Sequence, residues 1–357
     1  MPSINSSSDT PAFPGDVPTI DLPRIDLKKL SSGDKAESNA LFKTCTETGF
    51  FLLDLKVADG GNDLLKEVED AFQVSKSFFT SPEEDKCKFP LLPSNLGYKQ
   101  MGGTKIEDGS PDRCEIYGFP QDDLLGLGES NNRIPPVFDS NRALLISCLR
   151  RMHSVAETIC RHLDAHLDLP RDTFEAIHSL DKASPSSMRF LHMPPQEPSN
   201  LKTSLMGHTD NGSITVLFNI IGGLQILPPH SCEWKYVRPK PGCAIINLGD
   251  TMVQWSGGVL RSNMHRVVPP PGAQAASDRY SLAYVLKPPK EQSMSRLKMG
   301  RVIPQEEEDF VGDCTYGEFH SKKAAGVREG KNLADNQEGK GTNVKIQIDP
   351  QQLVSVA

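Results

Sequence analysis

The chain has 357 residues, with 39 Lys plus Arg against 46 Asp plus Glu and a formal net charge of −7. That balance excludes a basic nucleic-acid binder, because the cations that neutralise a phosphate backbone are missing. Hydrophobic residues at 37% suffice for a core, 28 Gly with 28 Pro fit many short strands better than a helix bundle, and no apolar run reaches the ~18 residues of a membrane span.

The polar start has no apolar stretch of signal-peptide type, so a cytoplasmic location is expected and residues 1–16 read as a flexible leader. The eight Cys contain no C-x-x-C pair, so free thiols are expected rather than a zinc ribbon or a disulfide framework. Residues 17–180 form an N-terminal helical and mixed region. It opens with an extended Val17–Leu22, a helix over 36–47 and a buried strand over Gly49–Leu53. Leu64, Leu65, Val68, Phe72 and Phe79 make a helix-spaced stripe over 62–79. Ser81-Pro82-Glu83-Glu84 looks like a capping box with Pro at the first helical position. Residues 88–138 read as a long irregular connection with a short strand near Cys114–Phe119, and 140–168 as a long helix ended by Pro170.

Short β-rich runs dominate 181–290: Met188–Met193, Ser213–Phe218, Gly223–Leu227, Trp234–Val237, Ala244–Leu248, Met252–Trp255, Met264–Val268 and Tyr280–Leu286. Eight strands in roughly 100 residues is the count of a jelly roll. The fold class is therefore α+β, mainly β: a double-stranded β-helix core flanked by N-terminal helices and a C-terminal helix. Residues 291–357 read as that helix, over Phe310–Arg328, and a mobile tail around Leu333–Thr342.

Three H-x-D tripeptides occur: His162-Leu163-Asp164, His166-Leu167-Asp168 and His208-Thr209-Asp210. The first two fall in the long helix, where i and i+2 lie about 200° apart and cannot share one metal. They read as a solvated helix face. The third lies at a strand edge, where i and i+2 point the same way. With His265 on a later strand it makes a two-His, one-carboxylate set, the donor set of non-haem iron. Arg279 and Ser281 share a strand face beyond it, and a guanidinium fork with a hydroxyl suits a buried carboxylate. Arg189, Leu191 and Met193 share one strand parity and are expected to face the pocket, while His192 has the opposite parity and reads as core. Tyr98, Tyr117, Phe119, Phe190, Leu205 and Phe218 are candidate walls.

H-x-D, a later His in His265-Arg266-Val267, and Arg279-Tyr280-Ser281 together resemble the Fe(II)/2-oxoglutarate-dependent oxygenase superfamily, more narrowly its isopenicillin-N-synthase-like branch. Gly207–Thr215, Gly222-Gly223-Leu224-Gln225 and Asn247-Leu248-Gly249-Asp250 resemble that branch's core, and Val17–Leu22, Gly49-Phe50-Phe51 and Phe78–Lys86 its N-terminal region. The resemblance implies Fe(II) on His208, Asp210 and His265, the C5 carboxylate of 2-oxoglutarate on Arg279 and Ser281, and O₂ as oxidant. It implies a dioxygenase that hydroxylates, desaturates or cyclises a small natural-product-like substrate, releasing succinate and CO₂. No nucleic acid, membrane or protein partner is expected. Relatives carry an Asn and a Tyr near the cosubstrate where this chain has Leu191 and Met193. A 2-oxoglutarate-independent Fe(II) oxidase, a non-catalytic small-molecule binding module and a zinc hydrolase remain alternatives.

Overall fold

The computed structural model describes residues 11–92, 96–106, 108–127, 134–305 and 313–328. Short polar caps start the first helices. After β1 (Thr19–Ile20) and β2 (Arg24–Asp26), the Asp26 carboxylate accepts from the Lys28 and Lys29 amides and opens α1 (Leu27–Ser31). Asp34 accepts from Glu37 N and opens α2 (Lys35–Glu47). Then come β3 (Phe50–Asp54), α3 (Gly61–Phe79), with the expected stripe buried, and α4 (Glu83–Lys86). The expected capping box does not form. The Ser81 hydroxyl instead donates back to the Phe78 carbonyl at 2.6 Å, finishing α3, and Pro82 occupies the cap position.

The 88–138 stretch contributes β4 (Gly97–Lys99), β5 (Glu115–Pro120), α5 (Gln121–Leu125) and α6 (Pro136–Asp139). The long helix is α7 (Arg142–His166), followed by α8 (Thr173–His178), too short to show a period in its residues. The core strands are β6 (Ser187–Met193), β7 (Leu205–His208), β8 (Ile214–Asn219), β9 (Leu224–Ile226), β10 (Lys235–Val237) and β11 (Cys243–Leu248). The run read as a strand over Met252–Trp255 is helical instead, within α9 (Asp250–Trp255), and every one of its residues is buried. β12 (His265–Val267), β13 (Arg279–Leu286) and α10 (Tyr316–Arg328) complete the order.

Two sheets result. One has the order β1-β10-β9-β12-β7, the other β2-β3-β11-β8-β13-β6-β5-β4. The quartet β11-β8-β13-β6 faces the quartet β10-β9-β12-β7, the expected jelly roll. Both sheets keep free edges and do not close into a barrel. Between them lies a small core that includes Phe50, Leu52, Leu224, Ile226, Ile245 and Val267. A larger core fills the outer face of the eight-stranded sheet against α3 and α7.

Strand parity places most of the candidate aromatic walls in that outer core. Tyr117 and Phe190 stack on Phe138 of α6 at 5.0 and 5.4 Å, Phe119 meets it edge-on at 4.8 Å, and Tyr98 meets Phe78 of α3 at 5.7 Å. Phe218 belongs to the same core. These five side chains hold the helices to the sheet and do not line the inner cavity. His192 lies on this face as expected from its parity, stacked on Tyr280 at 4.6 Å.

The leader is bound to the fold from residue 11 onward. Phe13 meets the Tyr236 ring at 6.2 Å and lies under the Arg238 guanidinium, and the Pro11 carbonyl accepts from Gln274. Residues 1–10 and the tail beyond 328 lie outside the described residues. All eight Cys are free thiols, and among the described residues no helix is long and apolar enough to cross a membrane.

Candidate active site

Sheet register brings two imidazoles together. β12 runs antiparallel to β7 with His265 directly opposite His208, and the rings sit 4.3 Å apart between centroids. A bulge separates this pair from the next, Val267 opposite Leu205, because β7 carries one extra residue there. Leu205 and His208 therefore both face the cavity despite their odd spacing. Asp210 follows in the turn after β7. Its Oδ1 lies 3.8 Å from His208 Nε2 and 4.0 Å from His265 Nε2. The three ligand atoms fall within 4.8 Å of one another.

The outward atoms of this cluster are all engaged. His208 Nδ1 donates to the Met206 carbonyl at 2.9 Å and His265 Nδ1 to the Asn263 carbonyl at 3.2 Å, which leaves both Nε2 lone pairs facing inward. Asp210 Oδ2 accepts from Thr215 Oγ1 on β8 at 2.6 Å and from Asn247 Nδ2 on β11 at 2.7 Å. Burial opposes ionisation of Asp210, but the two imidazoles and these two hydrogen bonds outweigh it and hold the carboxyl well below its usual range. Burial, then the neighbouring His265, pushes His208 down to about 4, so it is a neutral donor at physiological pH. Sequence reasoning missed Thr215 and Asn247. The signal for Asn247 was an amide alone in the apolar run Cys243–Leu248.

Behind the cluster a cavity of about 370 Å³ opens between the sheets. Arg279 and Ser281 line it from β13. The guanidinium is 2% exposed, yet no carboxylate of the described residues reaches it. It donates through Nε to the Gly222 carbonyl at 2.8 Å and through Nη1 to Ser281 Oγ at 2.5 Å. Gly223, at φ +107°, makes this approach workable, because a Cβ there would sit 2.6 Å from the Val268 carbonyl and 3.2 Å from Arg279 Nε. Burial lowers Arg279 to about 10, and it stays cationic. Met193, expected in the wall, instead presents its sulfur to Arg279 Nη1 at 3.6 Å.

Leu191, Leu205 and Leu217 give the cavity apolar walls, and Arg189 lines it from β6. The C-terminal helix closes one side with His320 and Lys323. Lys323 is buried, paired with Asp250, and donates to the Thr209 carbonyl at 2.9 Å, so α10 is tied to the residue between His208 and Asp210. At the other side Lys99 pairs with Asp112. Neither pair was anticipated, because the partners are remote in sequence.

The family profile described as the 2OG-Fe(II) oxygenase superfamily matches residues 184–288, and that described as the non-haem dioxygenase in morphine synthesis N-terminal region matches 17–136. A 2-oxoglutarate-dependent dioxygenase of Gibberella zeae is 33% identical over 286 residues, 79% of this chain and 84% of that protein. Another, from a Dothideomycetidae species, is 32% identical over 268 residues, 74% of this chain and 81% of its own. Among solved structures, a full-length Neurospora crassa protein in complex with alpha-KG and thymine is similar in fold. The TM-score is 0.71 at 22% identity, covering 85% of this chain and 96% of that one.

Proposed function

The chain belongs to the 2OG-Fe(II) oxygenase superfamily and is a 2-oxoglutarate-dependent dioxygenase using Fe(II) and O₂, and from that premise we propose a role for each group in its site. His208, Asp210 and His265 hold the iron. Arg279 and Ser281 hold the C5 carboxylate of 2-oxoglutarate. The cavity takes a small organic molecule of natural-product type, in keeping with the fungal relatives, and the outcome is hydroxylation, desaturation or ring formation.

One observation carries this reading: two imidazole nitrogens and one carboxylate oxygen converge while every outward atom of the trio is already bonded. Two neutral nitrogens and one anionic oxygen with room left open fit ferrous iron. When bound, the iron supplies O₂ activation coupled to decarboxylation of 2-oxoglutarate and oxidation of a substrate C–H bond. The chain's own groups position and shield. Thr215 and Asn247 fix the Asp210 carboxylate plane. Arg279 supplies a desolvated, acid-free cation whose strength water does not screen. Leu191 and Leu217 keep water from the reacting carbon.

Anaerobic titration with Fe(II) and then 2-oxoglutarate, read by visible absorption of the iron–keto acid complex, tests the assignment. The wild type should give one saturable band and Asp210→Ala none. Arg279→Ala should raise the 2-oxoglutarate requirement by roughly 10–100-fold, the worth of a charge-assisted hydrogen bond. Wild-type succinate release by Asp210→Ala, or an unchanged requirement in Arg279→Ala, would refute it.

A further inference from the structure

Among the described residues Arg189 has no acid partner, and its surroundings leave it open to the cavity. It lies mid-sheet on β6, and its cross-strand neighbours are Gly118 on β5 and Ala283 on β13, two residues too small to cover a guanidinium. Among the described residues its one side-chain bond is Nε to Ser187 Oγ at 3.2 Å, and no carboxylate pairs with it. Asp112 and Asp210 are the acids on the cavity wall, the first bound to Lys99 and the second committed to the iron reading.

The C-terminal helix adds neutral donors beside it. Asn211 donates to His320 Nδ1 at 2.6 Å, which places the remaining ring proton on Nε2. Tyr316 stacks on His320 at 5.8 Å, and its hydroxyl is buried with no hydrogen-bond partner. A buried hydroxyl without a partner is costly, and a ligand oxygen that reached it would remove that cost.

Charge arithmetic points the same way. With ferrous iron bound, its two positive charges and that of Arg279 are cancelled by Asp210 and dianionic 2-oxoglutarate, and Arg189 is left over. Burial and the adjacent Arg189 push Lys287 well below the ordinary ammonium range. Burial, with Lys287 and Arg189 next, pushes His320 down to about 3. Burial is the larger cause of both shifts, and the Arg189 guanidinium adds to each in the same direction.

We propose, resting on the oxygenase reading above, that the substrate carries one carboxylate and that Arg189 binds it, with the C-terminal helix supplying His320 and Tyr316 as neutral donors. This orients the substrate by its anionic end and leaves its apolar body against the leucine walls.

Calorimetry on the anaerobic Fe(II)- and 2-oxoglutarate-loaded enzyme tests it, using three acids and their methyl esters: 3-phenylpropionate, indole-3-acetate and decanoate. At least one acid should bind about tenfold or more tightly than its ester. Arg189→Gln should erase that preference, Arg189→Lys should keep part of it, and both should bind 2-oxoglutarate as the wild type does, which also shows that they are folded. Equal binding of acids and esters, or none, with normal 2-oxoglutarate binding overturns the carboxylate proposal and leaves the oxygenase reading intact. Loss of 2-oxoglutarate affinity in Arg189→Gln with acid preference retained assigns Arg189 to the cosubstrate and also overturns it. Failure of the wild type to bind 2-oxoglutarate removes the underlying reading and this one with it.

Discussion

Of the three His-x-Asp tripeptides, His162-Leu163-Asp164 in α7 and His208-Thr209-Asp210 at the end of β7 do unrelated work. In α7 the side chains diverge. His162 takes Ser38 Oγ at 2.8 Å and the Leu30 carbonyl at 3.0 Å, bracing α7 against α1 and α2. Asp164 points elsewhere and accepts from the Phe174 amide at 3.2 Å, satisfying the start of α8. After β7 the same two residue types converge on one point. The carboxyls titrate in opposite directions. Burial pushes Asp164 up to about 7, whereas the imidazoles and hydrogen bonds around Asp210 overcome its burial and drive it down. Identical letters acquire different chemistry from backbone period and from what donates to the carboxylate.

The largest expected contrast comes from removing each carboxylate. Asp210→Ala should lose bound iron and turnover together, measured by metal content and succinate release. Asp164→Ala should keep its iron and lose only about 1 kcal/mol, as for a helix cap, measured by thermal melting. Next in size, Asn247→Leu strips one orienting bond from Asp210 and should weaken iron binding roughly 10–100-fold in a metal titration, with the fold intact. A pH series sharpens the contrast further. Folded Asp164 retains its proton up to about 7, whereas an unfolded Asp releases it near its ordinary 3.8. The native chain thus binds more protons across that window, and Asp164 makes stability fall as the pH rises from about 4 towards 7. Asp164→Asn should flatten that part of the melting profile, and an unchanged slope would contradict the assignment. The smallest effect belongs to Ser38→Ala, which removes the hydroxyl shared by His162 and His166. It should cost about 1 kcal/mol and leave iron content unchanged.

Legibility followed periodicity. α3, α7, β6 and β13 could be read because each has one clearly buried face or a long apolar run. α9 could not, since a helix buried on all sides has no period to show, and three apolar letters around Gln254 looked like a strand. β7 was missed because Leu205-Met206-Gly207-His208 is short and broken by glycine. The histidines of α7, read as solvated, are partly buried against Ser38, a contact made across more than a hundred residues. The clustered His208, Asp210 and His265, and Arg279 with Ser281, were all named from sequence: strand parity paired Arg279 with Ser281, and the H-x-D spacing and the family resemblance carried the rest. The aromatic walls failed on the same rule: parity sorts Phe119 and Phe218 to the helix side, and their size alone had suggested a pocket. The ties from α10 had no local signal.

The bulge between β7 and β12 makes the two strands unequal in their tolerance of length changes. β7 already accommodates a spare residue, so a shortened version with Met206 deleted could fall into regular pairing and still aim His208 inward. β12 has no such slack, and deleting Arg266 would flip His265 to the opposite side of its sheet. Insertions and deletions engineered around this centre should therefore be confined to the strand carrying His208, whose neighbour has to be kept at its native length.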